Sequence, residues 1–335
     1  MRTEQGASQP TFYRWFHQSG GRISHERTCG FTCLPGYFNG IRWLTVVLKI
    51  IYIGSSGPLS LIPLQRLLDC GQAVVAVALE ADDEPVLQDQ RIPLLTTNHG
   101  SVASLARLHG IPLIELSRPW VYSGGEMGRY APDLIVVSCF ARKLPDSVLS
   151  IPHIGCFNLH PSLLPAYRGP VPLFWQFRAG VEIFGITLHR MSSRLDAGNI
   201  VAQTGVAMPD GVSGRQADVL LAEAGSEMLI HTLRKSGRDK LSGSAQDEGD
   251  ASYQGFPSAS DYTVSVSWSA QRLYNFICAT RDRGVRYPCR IDNRIYWLLE
   301  ADAWQLTGES RLVVNGNRLS IPCQRGSVTA RFQTD

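Results

Sequence analysis

Short apolar runs alternate along the chain with stretches that have helical periodicity. Runs that are almost entirely apolar or small, such as Ala73–Leu79 and Leu134–Cys139, are typical of strands buried on both faces of a parallel sheet. Further strands are predicted at Leu48–Ile53, Ile111–Leu116, Ile154–Phe157, Phe184–Met191 and Ile200–Val206, and helices at Pro58–Leu68, Ser101–His109, Pro172–Ala179 and Gln216–Leu233. This alternation predicts an α/β fold, with an open, mostly parallel, Rossmann-like sheet.

The pattern changes after this region. Residues 236–258 are rich in Ser, Gly, Asp and Gln, which predicts a linker. A helix at Trp268–Ala279 follows, and then short strands at Ile295–Leu299, Arg311–Val314, Arg318–Ile321 and Ser327–Phe332. We therefore expect a main domain at 48–235 and a small β-rich, OB-like module at 259–335. Residues 1–47 have no regular pattern and are interpreted as a poorly ordered or mis-assigned extension.

Composition and charge narrow the function classes. The net charge of the 335 residues is +3, and the middle of the chain, 48–257, carries 17 basic and 20 acidic residues, which does not suit a phosphate backbone. The eight Cys include no Cys-x-x-Cys pair, so we expect no zinc site and a reducing, cytoplasmic location. The apolar run Leu44–Ile53 is too short to span a membrane. Nothing in the sequence indicates an oligomeric state.

The end of the predicted strand at Ile154 carries candidate chemistry. Asn158 and His160 lie two positions apart, so on a strand their side chains share one face. An amide that never ionises suits the stabilisation of an oxyanion, and an imidazole with a pKa of about 6.5 suits proton transfer near neutral pH. Pro161 and Pro165 then turn the chain out of the sheet. Ligands of open α/β sheets bind at such carboxyl ends.

The full motif resembles the family of 10-formyltetrahydrofolate-dependent formyltransferases. The family pattern is Asn-x-His, Ser-Leu-Leu-Pro, Gly and a later Asp-x-Gly, and it is matched in order by Asn158, His160, Ser162–Pro165, Gly169, Asp196 and Gly198. The segment His189-Arg190-Met191, which precedes Asp196, is similar to the corresponding segment of the amino-sugar formyltransferases in particular. The resemblance implies the formyltransferase fold and transfer of a formyl group from 10-formyltetrahydrofolate to an amine, a reaction that needs no metal.

The resemblance also implies roles for individual residues. Asn158, His160 and Asp196 would be catalytic, with Asp196 orienting His160 as an Asp does beside other catalytic histidines. His189, by contrast, is interpreted as a structural strand residue. Residues implied to line the folate pocket are Phe140, Ala141, Arg142, Lys143, Leu144, Leu195 and Asp196, although Arg142 and Lys143 replace the aliphatic residues common in the family. Residues implied to contact the acceptor are Ser55, Ser56, Ser162, Leu163, Leu164, Pro165, Tyr167, Arg168 and Gly169.

The acceptor is predicted from charge. The segment Glu80–Glu84 is acidic where the methionyl-tRNA enzymes of the family carry a basic loop, and Lys and Arg supply most phosphate affinity. We therefore expect a small-molecule amine, such as a nucleotide-linked amino sugar. Methionyl-tRNA stays an alternative, because the second module resembles that enzyme's and ten Arg follow residue 258. A non-catalytic folate- or nucleotide-binding protein is the alternative from another class.

Overall fold

The structure is a computed structural model, and it describes residues 47–80, 101–117, 119–140, 142–236, 241–308 and 311–333. Its larger part is a seven-stranded sheet in the order β3-β2-β1-β4-β5-β6-β7. The strands are β1 (Lys49–Gly54), β2 (Ala73–Glu80), β3 (Leu113–Leu116), β4 (Leu134–Ser138), β5 (Gly155–His160), β6 (Ile183–Arg190) and β7 (Ile200–Ala207). The first five strands are parallel, whereas β6 and β7 are antiparallel to their neighbours, so the sheet is mixed but mostly parallel.

Helices cover the sheet and connect its strands. They are α1 (Pro58–Asp69), α2 (Val102–Leu108), α3 (Trp120–Arg129), α4 (Asp146–Leu149), α5 (Pro172–Ala179) and α6 (Gly214–Ser236). The strands β1 and β4 are buried along almost their whole length, which explains their continuous apolar sequences. In the described part of the chain, no helix is long and apolar enough to cross a membrane.

A separate antiparallel sheet of five strands forms the C-terminal region, in the order β10-β11-β12-β9-β8. Its strands are β8 (Tyr287–Ile291), β9 (Arg294–Gln305), β10 (Val313–Asn315), β11 (Arg318–Pro322) and β12 (Ser327–Gln333). The helix α7 (Ala270–Thr280) packs on this sheet and on α5, with Phe276 and Phe174 in edge contact 5.4 Å apart between ring centres. One apolar core therefore runs from the first sheet into the second.

The structure differs from the predicted elements in a few places. The helices α3 and α4 and the strand β8 were not predicted, and β9 extends to Gln305, well beyond the predicted Leu299. Gly124 and Gly125 weaken the helical signal of α3, and Pro288 weakens the strand signal of β8. Ser236, the first residue of the predicted linker, ends α6. The linker is next described from residue 241, and there it hydrogen-bonds to the start of β7, as in Ser244 N to Ile200 O at 2.9 Å.

Candidate active site

The antiparallel pairing of β5 with β6 assembles a polar cluster at the carboxyl end of β5, inside the seven-stranded sheet. Asn158 lies directly opposite His189 in this pairing, and His160 lies opposite Thr187. Cross-strand neighbours of this kind have side chains close enough to interact. Asn158 Nδ2 accordingly lies 3.3 Å from His189 Nε2. Two histidines from neighbouring strands thus lie near each other, His160 on β5 and His189 on β6.

His160 is almost completely buried, with 4% of its surface exposed. Its Nε2 lies 2.9 Å from the backbone carbonyl oxygen of Tyr167. A carbonyl oxygen can only accept, so Nε2 carries a hydrogen and donates it. The other nitrogen, Nδ1, faces Asp196 Oδ2 at 3.8 Å. Nδ1 is therefore the nitrogen of His160 that can gain or lose a proton within the site.

Asp196 is held by the backbone around it. It adopts a left-handed backbone conformation, with φ of 50°, and its side chain is buried. Its Oδ2 accepts a hydrogen bond of 2.9 Å from the amide of Gly169, while its Oδ1 lies 3.7 Å from His189 Nε2. At these distances Asp196 faces both imidazoles without a direct hydrogen bond to either.

His189 was interpreted from the sequence as structural, and the structure places it inside the cluster. Its Nδ1 lies 3.0 Å from the carbonyl oxygen of Arg190, so Nδ1 donates and Nε2 keeps a lone pair. Burial, reinforced by the neighbouring His160, lowers the pKa of His189 to about 4. His189 is then neutral near pH 7 and accepts a hydrogen bond from Asn158. The sequence could have indicated this role of His189 only through its pairing with Asn158 across β5 and β6, and sequence spacing does not show that pairing.

A small cleft opens beside this cluster. It is lined by Lys143, Leu144, His189, Met191, Ser192, Arg194, Leu195 and Asp196. Four of the predicted folate-pocket residues, Lys143, Leu144, Leu195 and Asp196, thus lie together. Phe140 packs instead against the apolar core beneath, and Arg142 forms a 3.2 Å ion pair with Glu80. Ala141 lies outside the described residues.

The predicted acceptor residues divide into two groups. The side chains of Ser162, Leu164 and Arg168 are buried. Ser162 Oγ donates to Ala166 O, and Arg168 binds Gln246 and Glu248. These three side chains are buried within the protein and are not exposed to an acceptor in this structure. Leu163, Pro165 and Tyr167 are half-buried in the same loop, Gly169 is buried with its amide on Asp196, and Ser55 and Ser56 are half-buried in the turn after β1.

The acidic segment that was used to predict the acceptor lies almost wholly outside the described residues, since only Glu80 is described. Glu80 pairs with Arg142, so its charge is at least partly compensated. Among the described residues, no group of three or more His, Cys, Asp or Glu is arranged to hold a metal ion.

Comparisons with known proteins agree on one family. The sequence pattern of the family described as "Formyl transferase" matches residues 123–233, which include the whole cluster. A methionyl-tRNA formyltransferase from Anaplasma marginale (strain St. Maries) is 32% identical over 295 residues, covering 84% of this chain and 90% of that protein. Another methionyl-tRNA formyltransferase, from Synechococcus sp. (strain JA-3-3Ab), is 35% identical over 179 residues, 52% of this chain and 55% of that protein.

Solved structures share the fold at low sequence identity. An N-formyltransferase from Helicobacter canadensis, in complex with folinic acid and dTDP-3-aminofucose, matches with a TM-score of 0.62 at 14% identity, over 86% of this chain and 100% of that one. WlaRD, a sugar 3N-formyl transferase, matches with a TM-score of 0.60 at 15% identity, over 86% of this chain and 99% of that one. Together with the 32% identical relative, which aligns over nearly its whole length, these matches show that the chain belongs to the formyltransferase family and is a formyl-transferring enzyme.

Proposed function

We propose that the enzyme transfers a formyl group from 10-formyltetrahydrofolate to a primary amine, with Asn158, His160 and Asp196 as the catalytic residues. One observation carries this proposal. A neutral amide, a titratable imidazole nitrogen and a carboxylate converge at the edge of the sheet, where His160 Nδ1 and Asp196 Oδ2 face each other at 3.8 Å. Formyl transfer needs hydrogen-bond donors for the developing oxyanion and a path for a proton, and these groups can supply both.

Each group has a defined task in the reaction. The neutral acceptor amine attacks the formyl carbon, and negative charge develops on the formyl oxygen. Asn158 donates one amide hydrogen to His189 and keeps the second for this oxyanion. His160 is the acid–base group, since its Nδ1 can hold a proton that passes from the new amide nitrogen towards the departing N10 atom. Asp196 stabilises the protonated imidazole while it forms.

The cleft beside the cluster marks where the folate would bind, and its volume of about 10 Å³ would have to widen to admit the ring. Leu144, Met191 and Leu195 offer apolar contacts to a flat ring system, and the cleft also contains the cations Lys143 and Arg194. The glutamate part of a folate carries carboxylates, which suit such cations. An N-formyltransferase of the same fold, from Helicobacter canadensis, has been solved in complex with folinic acid, which supports a folate as the co-substrate.

A single-turnover experiment tests the proposal. The enzyme is mixed with 10-formyltetrahydrofolate carrying a labelled formyl group and with a panel of candidate acceptors, and transfer of the label is measured. A catalytic enzyme transfers label to at least one amine, and His160→Ala does not. Tight folate binding with no transfer to any acceptor would instead indicate the non-catalytic alternative.

We propose a small-molecule amine, such as a nucleotide-linked amino sugar, as the acceptor. The supporting observation is the net charge of −3 over residues 48–257, together with the acidic segment that follows β2. A domain that binds tRNA beside its active site gains affinity from basic side chains there. Because Glu80 is paired with Arg142, the repulsion of a phosphate backbone would come from the acidic residues that follow Glu80 in the sequence.

Methionyl-tRNA is the second candidate. It is favoured by the relative from Anaplasma marginale, a methionyl-tRNA formyltransferase aligned over 90% of its length. The ten Arg after residue 258 supply positive charge that a phosphate backbone could use.

A binding titration at two salt concentrations separates the acceptors. Contact with six to ten phosphates would weaken tRNA affinity by about 10³–10⁵-fold between 50 and 200 mM salt. A small amine acceptor predicts instead that methionyl-tRNA is not formylated and that its binding is weak at both concentrations. Tight, salt-dependent binding accompanied by formylation would establish methionyl-tRNA as the acceptor.

A further inference from the structure

Residues 241–255, called the strap below, run across the loops that carry the catalytic groups. The strap pairs with the start of β7 through Ile200 N to Ser244 O at 2.8 Å. It then pairs with the loop after β5, where Arg168 N donates to Ser252 O and Gln254 N donates to Arg168 O, both at 2.9 Å. The strap therefore joins two loops that are far apart in sequence, one carrying Asp196 and the other carrying Gly169.

Gln246 lies at the centre of these contacts. Its Nε2 donates to two backbone carbonyls of the first loop, Asp196 O at 2.8 Å and Gly198 O at 2.7 Å. Its Oε1 accepts from the buried guanidinium of Arg168, from Nε at 3.1 Å and from a terminal nitrogen at 2.8 Å. One side-chain amide thus uses both its donors and its acceptor to connect the two loops.

Glu248 completes the connection from the outer side. Its carboxylate forms ion pairs with two guanidinium groups, with Arg168 at an N–O distance of 3.0 Å and with Arg194 at 2.9 Å. Hydrogen bonds from these two guanidinium groups lower the pKa of Glu248 to about 2. The buried charge of Arg168, which is 6% exposed, is therefore paired by the strap.

The catalytic carboxylate depends on both loops at once. Asp196 has a left-handed backbone, which is strained for a non-glycine residue and needs surrounding contacts to hold it. Its Oδ2 is oriented by the amide of Gly169, the residue after Arg168. The orientation of the Asp196 carboxylate towards His160 therefore depends on the relative position of the two loops that Gln246 joins.

We propose that Gln246 is a positioning residue for Asp196: its amide fixes the backbone of Asp196 and the loop that orients the carboxylate. This inference rests on the catalytic role proposed for Asp196. It predicts that the donor half of the amide matters for turnover, separately from the acceptor half that holds Arg168.

Two substitutions separate these halves. Gln246→Glu keeps acceptors for Arg168 but removes the two donors to Asp196 O and Gly198 O. Gln246→Met has similar length and removes both halves. We expect both variants to lower kcat by about 10-fold or more, because small displacements of catalytic groups cost up to about 100-fold. The KM for 10-formyltetrahydrofolate should change little.

Trp175→Phe is the matched control. Trp175 Nε1 donates to Gly255 O at 2.9 Å, so this variant also removes one hydrogen bond from a side chain to the strap, at the opposite end. The indole is replaced by another aromatic ring, and Gly255 lies nine residues from Gln246 along the strap. We expect its kcat to stay within about 2-fold of the wild-type value.

A second measurement does not depend on activity. The Gly169 amide donates to Asp196 Oδ2, so its NMR signal in ¹⁵N-glycine-labelled protein reports the orientation of the carboxylate. Asp196→Asn identifies the signal by shifting it. We expect Gln246→Glu to shift the same signal and to speed up its hydrogen exchange, whereas Trp175→Phe leaves it in place.

The outcomes are distinct. A wild-type rate and an unshifted Gly169 signal in Gln246→Glu would overturn the positioning role. A shifted signal in a stable Gln246→Glu protein supports the geometry even if no acceptor has been found. If Gly169 shifts but Asp196→Asn itself turns over normally, the proposed catalytic role of Asp196 fails and the positioning role fails with it.

Discussion

The two sheets use ionisable side chains in opposite ways. In the seven-stranded sheet, at the carboxyl end of β5, His160, His189 and Asp196 are buried, and the two imidazoles approach the Asp196 carboxylate only to 3.7–3.8 Å. In the five-stranded sheet, Arg318 and Asp302 form a tighter pair at 2.9 Å, with 58% and 31% of their side chains exposed. The shorter distance belongs to the less consequential pair, because water screens exposed charges. Burial therefore matters more than contact distance for how strongly such groups interact.

The buried cluster is tolerable because its polar atoms have partners. His160 donates to Tyr167 O, Asp196 accepts from Gly169 N, and His189 donates to Arg190 O. A buried group without such partners costs about 1–3 kcal/mol. The exposed pairs of the five-stranded sheet need no comparable support. The predictions below test this contrast, in order of decreasing effect.

The largest effect is expected at His160 and Asp196, the proposed catalytic pair. His160→Ala and Asp196→Ala should each lower kcat by about 10²–10⁴-fold, the usual contribution of positioned proton transfer. Folate binding should remain largely intact, because neither change removes the apolar side of the cleft. Measured kcat and folate affinity check this, and a near-normal rate in either variant would remove these residues from the mechanism.

A smaller effect is expected at His189. His189→Leu removes the acceptor that fixes the Asn158 amide, so kcat should fall by about 10-fold while the pH dependence of turnover keeps its shape, since His189 is neutral at working pH. The conservative variant His189→Gln offers an acceptor and should recover part of the rate. A changed pH profile in His189→Leu would mean that His189 itself exchanges protons.

The same histidine should affect stability at low pH. Its folded pKa of about 4 lies below the unfolded value of about 6.5, so the unfolded chain binds more protons between these values. The contribution of His189 is therefore fully present above about pH 6.5 and is lost as the pH falls towards 4. Urea unfolding at pH 7 and pH 4.5 should show a smaller loss of stability in His189→Leu than in the wild type. Equal losses would contradict the neutral, buried state.

The smallest effect is expected in the five-stranded sheet. Arg318→Ala should change the free energy of unfolding by less than about 1 kcal/mol and leave kcat unchanged, because exposed ion pairs contribute little. Thermal unfolding and the formyl-transfer assay check both quantities. A large loss of activity would show that this sheet takes part in catalysis or acceptor binding, which would weaken the contrast between the sheets.

The sequence by itself determined the main elements and the ordered motif. Uniform apolar runs such as Leu134–Cys139 can only be buried strands or helices, and their short length favours strands. Asn158 and His160 could be placed together because they are two residues apart on one strand, a local relation. Asp196 could be added only through the resemblance to the family, since nothing local connects it to His160.

The tertiary structure alone decided the rest. The antiparallel pairing of β6 with β5 brings His189 opposite Asn158, although the two residues are 31 positions apart in the sequence. The strap looked like a linker because its Ser, Gly and Asp residues carry no periodic apolar pattern. It is held instead by backbone hydrogen bonds and by the amide of Gln246, contacts that leave no mark in hydrophobic spacing. Long-range polar contacts depend on loop geometry, and that geometry is set only when the sheet, the loops and the strap pack together.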